Sequence, residues 1–571
     1  MKHSTSIPSV QRAVQLVGPD ELALNEAKPV PQPGPHQFLC EVVAVGLCFS
    51  DLKLLKQFAA HVRKGEVVGG VDAAVLASFP SYVPGSLPTV PGHEPVVRIA
   101  AVGPGVHRVK RGERYFIQAD WRWIRTAESN AAFGYNFEGA LQEYVLLDER
   151  LVVSPEGESM LLKAPEGQRS AAAYALVEPW ACVEQSYRTR ERRTLKADGR
   201  LLVIADSTPD IEKLRRLLAS GPRPARMTWV SPRLSVPARW PVPAERANSL
   251  AETQGEPYDD VIYFGHDPEM VDRVFNRMAS HGLLLLVLGG SRFGRPVAIA
   301  FGAIHYRNLR MVGTLSHDPA DALAAIPETG EVRPNNRVHV IGAGGPMGVM
   351  HVVRDICEGV VGLTVVACDL STPRLAALDR IAKPLAKRHG VVYESYNSTR
   401  GLKPGPFDYS VVMAPSPALV AAAVDSSAPR GIVNIFAGIP ADKGGPLNLD
   451  AYVERQLYLI GTSGSTMDDM RAVLAKVENG TLDTNVSVAA VAGLDGAIDG
   501  IRAVETQSIA GKILVYPACR GLPLTRLEEL PTRCPTAAAK LADGVWTKEA
   551  EAELLTAFAA GRPSASGGDA V

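Results

Sequence analysis

The sequence predicts an α/β protein: a mainly-β N-terminal part followed by two tandem doubly wound parallel-sheet units, the first of them degenerate. Three observations carry this. Up to about residue 196, short Val-rich runs (37–45, 96–102 and 143–147) alternate with glycine and proline turns, as β-strands do. Beyond that point strand-like runs alternate with helical stretches, the signature of βαβ units and a parallel sheet. The second part also repeats itself. Tyr258-Asp259-Asp260-Val261-Ile262 has a counterpart in Phe407-Asp408-Tyr409-Ser410-Val411, the apolar run 282–289 in 431–438, and Arg307-Asn308-Leu309-Arg310-Met311-Val312-Gly313-Thr314 in Arg455-Gln456-Leu457-Tyr458-Leu459-Ile460-Gly461-Thr462, all at an offset of 148 or 149 residues.

At 571 residues the chain is too long for one hydrophobic core. The expected order is a mainly-β domain over 1–196, a degenerate Rossmann-like unit over 197–334, a second Rossmann-like unit over 335–480, a return segment over 481–520 and a C-terminal extension over 521–571. The extension is helix-prone over 535–560 and ends in a polar tail expected to be disordered. The two Rossmann-like copies differ at their first turn. In the second, the strand 337–341 runs into Gly342-Ala343-Gly344-Gly345-Pro346-Met347-Gly348; in the first, the strand 200–204 runs into Ala205-Asp206-Ser207-Thr208-Pro209-Asp210, which has no glycine.

Composition narrows the function. The chain is 46% hydrophobic and 21% charged with a net charge of −1, so no basic field exists to hold nucleic acid by its phosphates. The N-terminus has no apolar core of signal-peptide length, and the most apolar short run, 283–288, is far below the ~20 residues of a membrane span, so no membrane partner is expected and the cytoplasm is the expected location. Seven scattered cysteines without a C-x-x-C pair argue against a disulfide framework.

The glycine-rich turn is a nucleotide-site candidate. A pyrophosphate needs backbone N–H groups at a helix N-terminus and no side chain in its way. The spacing is G-x-x-G-x-x-G on Gly342, Gly345 and Gly348, with Pro346 and Met347 between the last two glycines. The following strand ends in Asp369, 21 residues after Gly348, where an acid accepts hydrogen bonds from the adenosine ribose. A carboxylate there repels a 2′-phosphate, so NAD(H) is expected over NADP(H). The competing reading is a tight structural turn and an ordinary N-cap Asp. In the first unit the matching positions are Ala205, Thr208, Ile211 and Ser231 or Pro232, so that copy is expected to bind no nucleotide.

A second constellation lies in three pieces: Gly46-Leu47-Cys48-Phe49-Ser50-Asp51-Leu52-Lys53, Pro91-Gly92-His93-Glu94 and Leu176-Val177-Glu178-Pro179-Trp180. A thiolate, an imidazole and a carboxylate make a reasonable catalytic zinc set with a position left open for substrate. Taken singly, each also reads as a buried Cys, a core His or a surface Glu.

Together these pieces resemble the medium-chain zinc-dependent alcohol and polyol dehydrogenases, in which Cys-x-Ser/Thr-Asp, Gly-His-Glu and Glu-Pro occur in this order. The resemblance covers most of residues 10–196 and 335–520. It is closest to the L-sorbose 1-phosphate reductase branch, through Cys48-Phe49-Ser50 with Lys53, Arg114-Tyr115-Phe116-Ile117-Gln118-Ala119, Leu176-Val177-Glu178-Pro179 with Cys182-Val183, Gly345-Pro346-Met347-Gly348, and Gly461-Thr462-Ser463-Gly464 with Asp468-Asp469-Met470-Arg471. It implies a GroES-like catalytic domain, one zinc bound by Cys48, His93 and Glu178, and Glu94 as a fourth ligand or a partner behind the ligands. It further implies Ser50 as acceptor of the substrate hydroxyl proton and Lys53 as the next station, with a solvated surface lysine as the competing reading of Lys53. The implied partner is a small molecule (a polyol, sugar or sugar phosphate), and homo-oligomerisation is implied by resemblance alone.

Three departures stand out. No cysteine lies between Asp120 and Gly139, where many zinc dehydrogenases carry a four-cysteine structural zinc. The gap from Cys48 to His93 is 45 residues because 58–88 reads as inserted. The unit 197–334 has no counterpart in an ordinary family member. The alternatives are a zinc dehydrogenase for an amino-alcohol or 3-hydroxy acid, and a non-catalytic nucleotide-binding or sensor protein.

Overall fold

A computed structural model describes residues 7–165, 167–231, 240–253, 255–440, 442–462 and 464–559; Pro232, Ser463, the first six residues and the polar tail lie outside the described residues. The chain forms two compact units, residues 1–181 with 464–571, and residues 182–463. These divisions fall earlier than the expected 196 and 481. Residues 464–480 belong with the N-terminal domain because the helix Met467–Glu478, closed by a Thr466/Asp469 capping box, packs on the strand Leu161–Lys163 and accepts Arg169 at its last carbonyl.

In the first unit an eight-stranded sheet runs Leu161–Lys163, Arg114–Ile117, Glu94–Val102, Gln37–Gly46, Lys512–Val515, Val488–Ala492 and Thr525–Arg526, with Tyr144–Asp148 also on Gln37–Gly46. Phe38, Leu39, Val96, Val97, Leu146 and Leu514 fill its core. The return segment therefore closes this sheet: Leu514 pairs with Gly46 and Val515 with Val45, antiparallel. The inserted stretch contributes the strand Val67–Gly69, which pairs with Asp120–Thr126, itself paired with Asn130–Ala132. Trp121, Phe79 and Tyr82 pack around Phe137 at centroid distances of 4.8, 5.9 and 5.1 Å, so an aromatic cluster holds the cysteine-free region together.

The stretch 535–559 is two helices, Pro535–Ala538 and Lys548–Ala559, where the sequence suggested one; Asp543 and Gly544 take positive φ in the segment between them. The second helix delivers Glu551, whose buried carboxylate accepts the N–H groups of Ala171 and Ala172 at 2.6 and 2.9 Å and so caps the helix Ala171–Ala175.

The second unit holds two six-stranded parallel sheets of one topology. The first runs Ala244–Ala247, Arg226–Val230, Arg200–Ala205, Tyr258–Phe264, Met278–Val287, Arg310–Thr314; the second runs Val392–Asn397, Thr364–Asp369, Arg337–Ile341, Phe407–Val412, Ser427–Ile435, Tyr458–Ile460. Each is the 3-2-1-4-5-6 order of a doubly wound nucleotide-binding sheet. Central strands such as Leu201–Ile204 are buried on both faces, hence their continuous apolar runs. No helix among the described residues is long and apolar enough to cross a membrane, and all seven cysteines are free.

Candidate active site

The strand Gln37–Gly46 delivers Cys48, and Ser50 stands at the N-cap position of the helix Asp51–Gln57, its hydroxyl making no capping bond. Gly46 is required there, because a Cβ would collide with the Glu94 carboxylate. One donor atom each of Cys48, His93 and Glu94 lie within 4.8 Å of one another. Ser50 Oγ sits between two of them, 3.1 Å from Cys48 Sγ and 3.2 Å from His93 Nε2. The other ring nitrogen, His93 Nδ1, is 2.9 Å from Asp51 Oδ1, and Asp51 Oδ2 accepts the Cys48 N–H at 3.3 Å. The buried Asp51 thus orients the imidazole and braces the cysteine turn. Glu94 is fully buried; its Oε1 accepts the Lys512 ammonium at 2.6 Å, and its Oε2 has no hydrogen-bond partner.

The charges fit a cation site. Burial opposes a charged His93, yet the Asp51 carboxylate holds its pKa well above the usual imidazole value. Burial lifts the Glu178 carboxyl to about 7, against the pull of His93 and with Glu94 adding to the rise. Glu178 stands in the field of both ligand candidates, although the tight donor group itself is Cys48, His93 and Glu94. An unpartnered buried carboxylate oxygen beside a thiol and an imidazole is what a metal would complete. Lys53 is exposed on the helix Asp51–Gln57, with its charge felt at His61.

Sequence reading assigned no role to several neighbours. Asp51 stood inside the quoted motif, but its partner was not visible there. Lys512 arrives on a strand more than 400 positions away in sequence, and only the register of that strand reveals it. The inserted stretch brings His61 and Arg63 to Tyr135: the His61 ring centroid is 5.1 Å from that of Tyr135, the Arg63 guanidinium lies 5.6 Å over the ring, and His93 is 5.8 Å away. Arg63 is paired with Asp120 at 2.5 Å. Burial, with the charges of Arg63 and Lys53, lowers His61 to about 4, so it is neutral at pH 7.

In the second unit, the turn after the strand Arg337–Ile341 assigns each glycine a different job. Gly342 takes φ +87°, and it and Ala343 donate to the Cys368 carbonyl at 2.9 and 2.8 Å. A Cβ at Gly348 would strike the Gly342 carbonyl, so this glycine serves close packing of helix on turn. Gly345 begins the helix Pro346–Cys357 with no side-chain cap and open space where a Cβ would stand, with Pro346 in the first turn and Met347 after it. Gly344, passed over in the spacing argument, has its own constraint: a Cβ would crowd Arg374 and the Asp369 carboxylate, which accepts the Gly344 N–H at 2.9 Å. Asp369 also accepts the Ser371 N–H at 2.9 Å.

The matching turn of the first copy is filled. Asp210 caps the helix Ile211–Ser220 by accepting the Lys213 N–H at 3.1 Å, which puts a carboxylate where a phosphate would need the amide. Asp206 accepts Tyr263 Oη at 3.0 Å, and Ser231, opposite Asp369, donates to the Ala205 carbonyl at 3.0 Å. Of the two positions aligned with Asp369, Pro232 lies outside the described residues.

The β domain with its Cys–His–Glu group and the glycine-turn sheet define a class: residues 34–156 match the alcohol dehydrogenase GroES-like domain. This part of the chain is thus similar to the GroES-like domain of alcohol dehydrogenases. The chain is 31% identical over 236 residues to an L-sorbose 1-phosphate reductase of Klebsiella pneumoniae, a stretch covering 39% of this chain and 56% of that protein. It is 30% identical over 140 residues to an alcohol dehydrogenase of Rhizobium meliloti, covering 22% of this chain and 34% of that one. The chain thus spans about half the length of the first of these relatives and a third of the second. A solved 2R,3R-butanediol dehydrogenase from Bacillus subtilis aligns over 89% of this chain and 99% of its own, at 15% identity and a TM-score of 0.49.

Proposed function

We propose that this chain is a zinc-dependent oxidoreductase that transfers hydride between NAD(H) and the hydroxyl or carbonyl carbon of a polyol, sugar or sugar phosphate. The observation that carries the reading is the convergence of Cys48, His93 and Glu94 within 4.8 Å around the Ser50 hydroxyl, with one Glu94 oxygen left unpartnered in a buried site. Cys48, His93 and Glu178 would hold the metal, with Glu94 as a fourth ligand or as the carboxylate behind it. Zinc, when bound, supplies Lewis-acid polarisation of the substrate oxygen. The nicotinamide carries the hydride.

The chain's own residues do the rest. Asp51 fixes the His93 ring so that Nε2 faces the donor group. Lys512 neutralises Glu94, allowing a carboxylate in a buried site. Ser50 Oγ takes the proton leaving the substrate hydroxyl, and Lys53 on the next helical turn is the outer station of that path. The turn 342–348 receives the pyrophosphate on its uncapped helix N-terminus, and Asp369 exchanges its Gly344 hydrogen bond for the ribose hydroxyls. The proposed substrate class draws on the 31% likeness to the sorbose phosphate reductase.

Metal analysis and a hydride-transfer screen test this together. The protein is expected to hold close to one zinc per chain and to reduce NAD with at least one polyol or sugar phosphate, and Cys48→Ala or His93→Ala is expected to lose both metal and turnover. Two zincs per chain, or full turnover in a zinc-free preparation, refutes the site. Activity confined to amino-alcohols or 3-hydroxy acids keeps the chemistry and overturns the substrate class.

A further inference from the structure

Within residues 182–463 the two parallel sheets meet in a way that tandem stacking does not produce. The short strand Val297–Ile299 pairs antiparallel with Gly445–Leu447: Val297 opposite Leu447, Ala298 opposite Pro446, Ile299 opposite Gly445. These residues are counterparts in the repeat at an offset of 148, so Ala298 faces its own equivalent and its neighbours exchange partners. The next elements repeat the exchange. The helices Phe301–Tyr306 and Leu449–Glu454 are equivalent, each packs on the other copy's last strand, and those last strands, Arg310–Thr314 and Tyr458–Ile460, touch each other. A Cβ on Gly313 would meet Val453, and a Cβ on Gly461 would meet His305; Gly313 is equivalent to Gly461, and His305 to Val453. Asn308 and Gln456, also equivalent, share φ values of +52° and +51°.

Residue i touching j′ while j touches i′ is the property of a twofold, isologous interface; a head-to-tail repeat would contact each neighbour through two different surfaces. The face is apolar and fully covered: Phe301, Ile304, Met311, Leu449, Tyr452 and Leu459 are all buried. Tyr452 Oη donates to the Met311 carbonyl at 2.6 Å, and His305 Nδ1 lies 2.9 Å from the Ile435 carbonyl. The offset is constant through 297–314, whereas the first strands of the two sheets are 137 positions apart, so the copies match residue for residue along the shared face.

We propose that residues 200–314 stand in for the second subunit of a twofold dimer: the face on which two nucleotide-binding units would pair is closed inside one chain, about a pseudo-dyad through Ala298 and Pro446. The first copy then keeps its sheet and its pairing face because the second copy's edge strand and apolar helix need a cover. Its nucleotide turn was free to fill with Asp206 and Asp210. The chain is accordingly a monomer, and this conclusion does not rest on the proposed reaction.

Two measurements on the full chain test it, neither involving activity. Light scattering on the eluting protein at micromolar concentration is expected to give the mass of one chain; the mass of two overturns the proposal. Ala298 and Pro446 are both exposed, so Ala298→Cys with Pro446→Cys, treated with a short bismaleimide, is expected to give an intramolecular cross-link at one-chain mass. Ala298→Cys alone is expected to stay unlinked. A covalent dimer from either protein would show that two chains meet at this axis and would overturn the proposal.

Discussion

Asp51 is the residue whose loss should reveal the metal site without dismantling it. It is 1% exposed; one oxygen is 2.9 Å from His93 Nδ1 and the other accepts the Cys48 N–H. Asp51→Asn keeps the shape, removes the charge that holds the ring, and turns one of the two acceptors into a donor. Carboxylate partners behind metal-binding histidines are worth about 10–100-fold in affinity, or about 1.4–2.8 kcal/mol. The expected zinc affinity is therefore weaker by that factor, measured by competition with a chromophoric chelator at pH 7.5. The pH dependence has a defined sign. Asp51 raises the folded-state pKa of His93 above its unfolded value, so in metal-free protein the pair stabilises fully below the unfolded histidine pKa and loses that contribution as pH rises through the folded one. The stability gap between wild type and Asp51→Asn in metal-free protein is thus widest in acid and closes in base. For the same reason zinc must displace a proton held tightly by wild-type His93, so the affinity gap narrows as pH falls. Unchanged zinc affinity across this range would refute Asp51 as the group that orients the ligand.

Other expected outcomes follow from the same geometry. Lys512→Met leaves the buried Glu94 without its cation and should cost about 3–5 kcal/mol in urea unfolding; an unmoved midpoint would show that the pair does not support the site. Gly345→Val places a side chain in the open space over the helix N-terminus, and calorimetry should go from one NAD(H) per chain to none with the circular dichroism spectrum unchanged. A second binding site that survives Gly345→Val and maps to the first sheet would contradict the filled turn at Asp206 and Asp210. Asp369→Ser should narrow a preference for NAD over NADP in kcat/KM; a wild-type enzyme that favours NADPH tenfold or more would rule out the ribose role of Asp369.

What was legible in the sequence was whatever local chemistry dictates. Alternating and continuous apolar runs marked the strands, because pleat and burial act residue by residue, and the strand Arg337–Ile341 lies where it was read. The 148-residue echo marked the duplication, and the glycines at 342, 345 and 348 marked a tight turn opening a helix, two of them at positions that exclude a side chain. The motifs around Cys48, His93 and Glu178 were legible through their resemblance to the zinc dehydrogenases, while the structure brings Cys48 and His93 together with Glu94. The tertiary structure decided everything that depends on strand register and on the meeting of distant segments. Lys512 reaches Glu94 only because Leu514 pairs with Gly46; the inserted stretch carries His61 and Arg63 to Tyr135 through pairing with Asp120–Thr126; and the helical stretch after Pro535 is interrupted between Ala538 and Lys548, with Asp543 and Gly544 at positive φ. The role of the first copy was hidden for the same reason. Its sequence shows a core kept and a site lost, but an exchange of partners between equivalent residues exists only once both copies are folded against each other, since a contact between distant segments depends on where the whole chain places them.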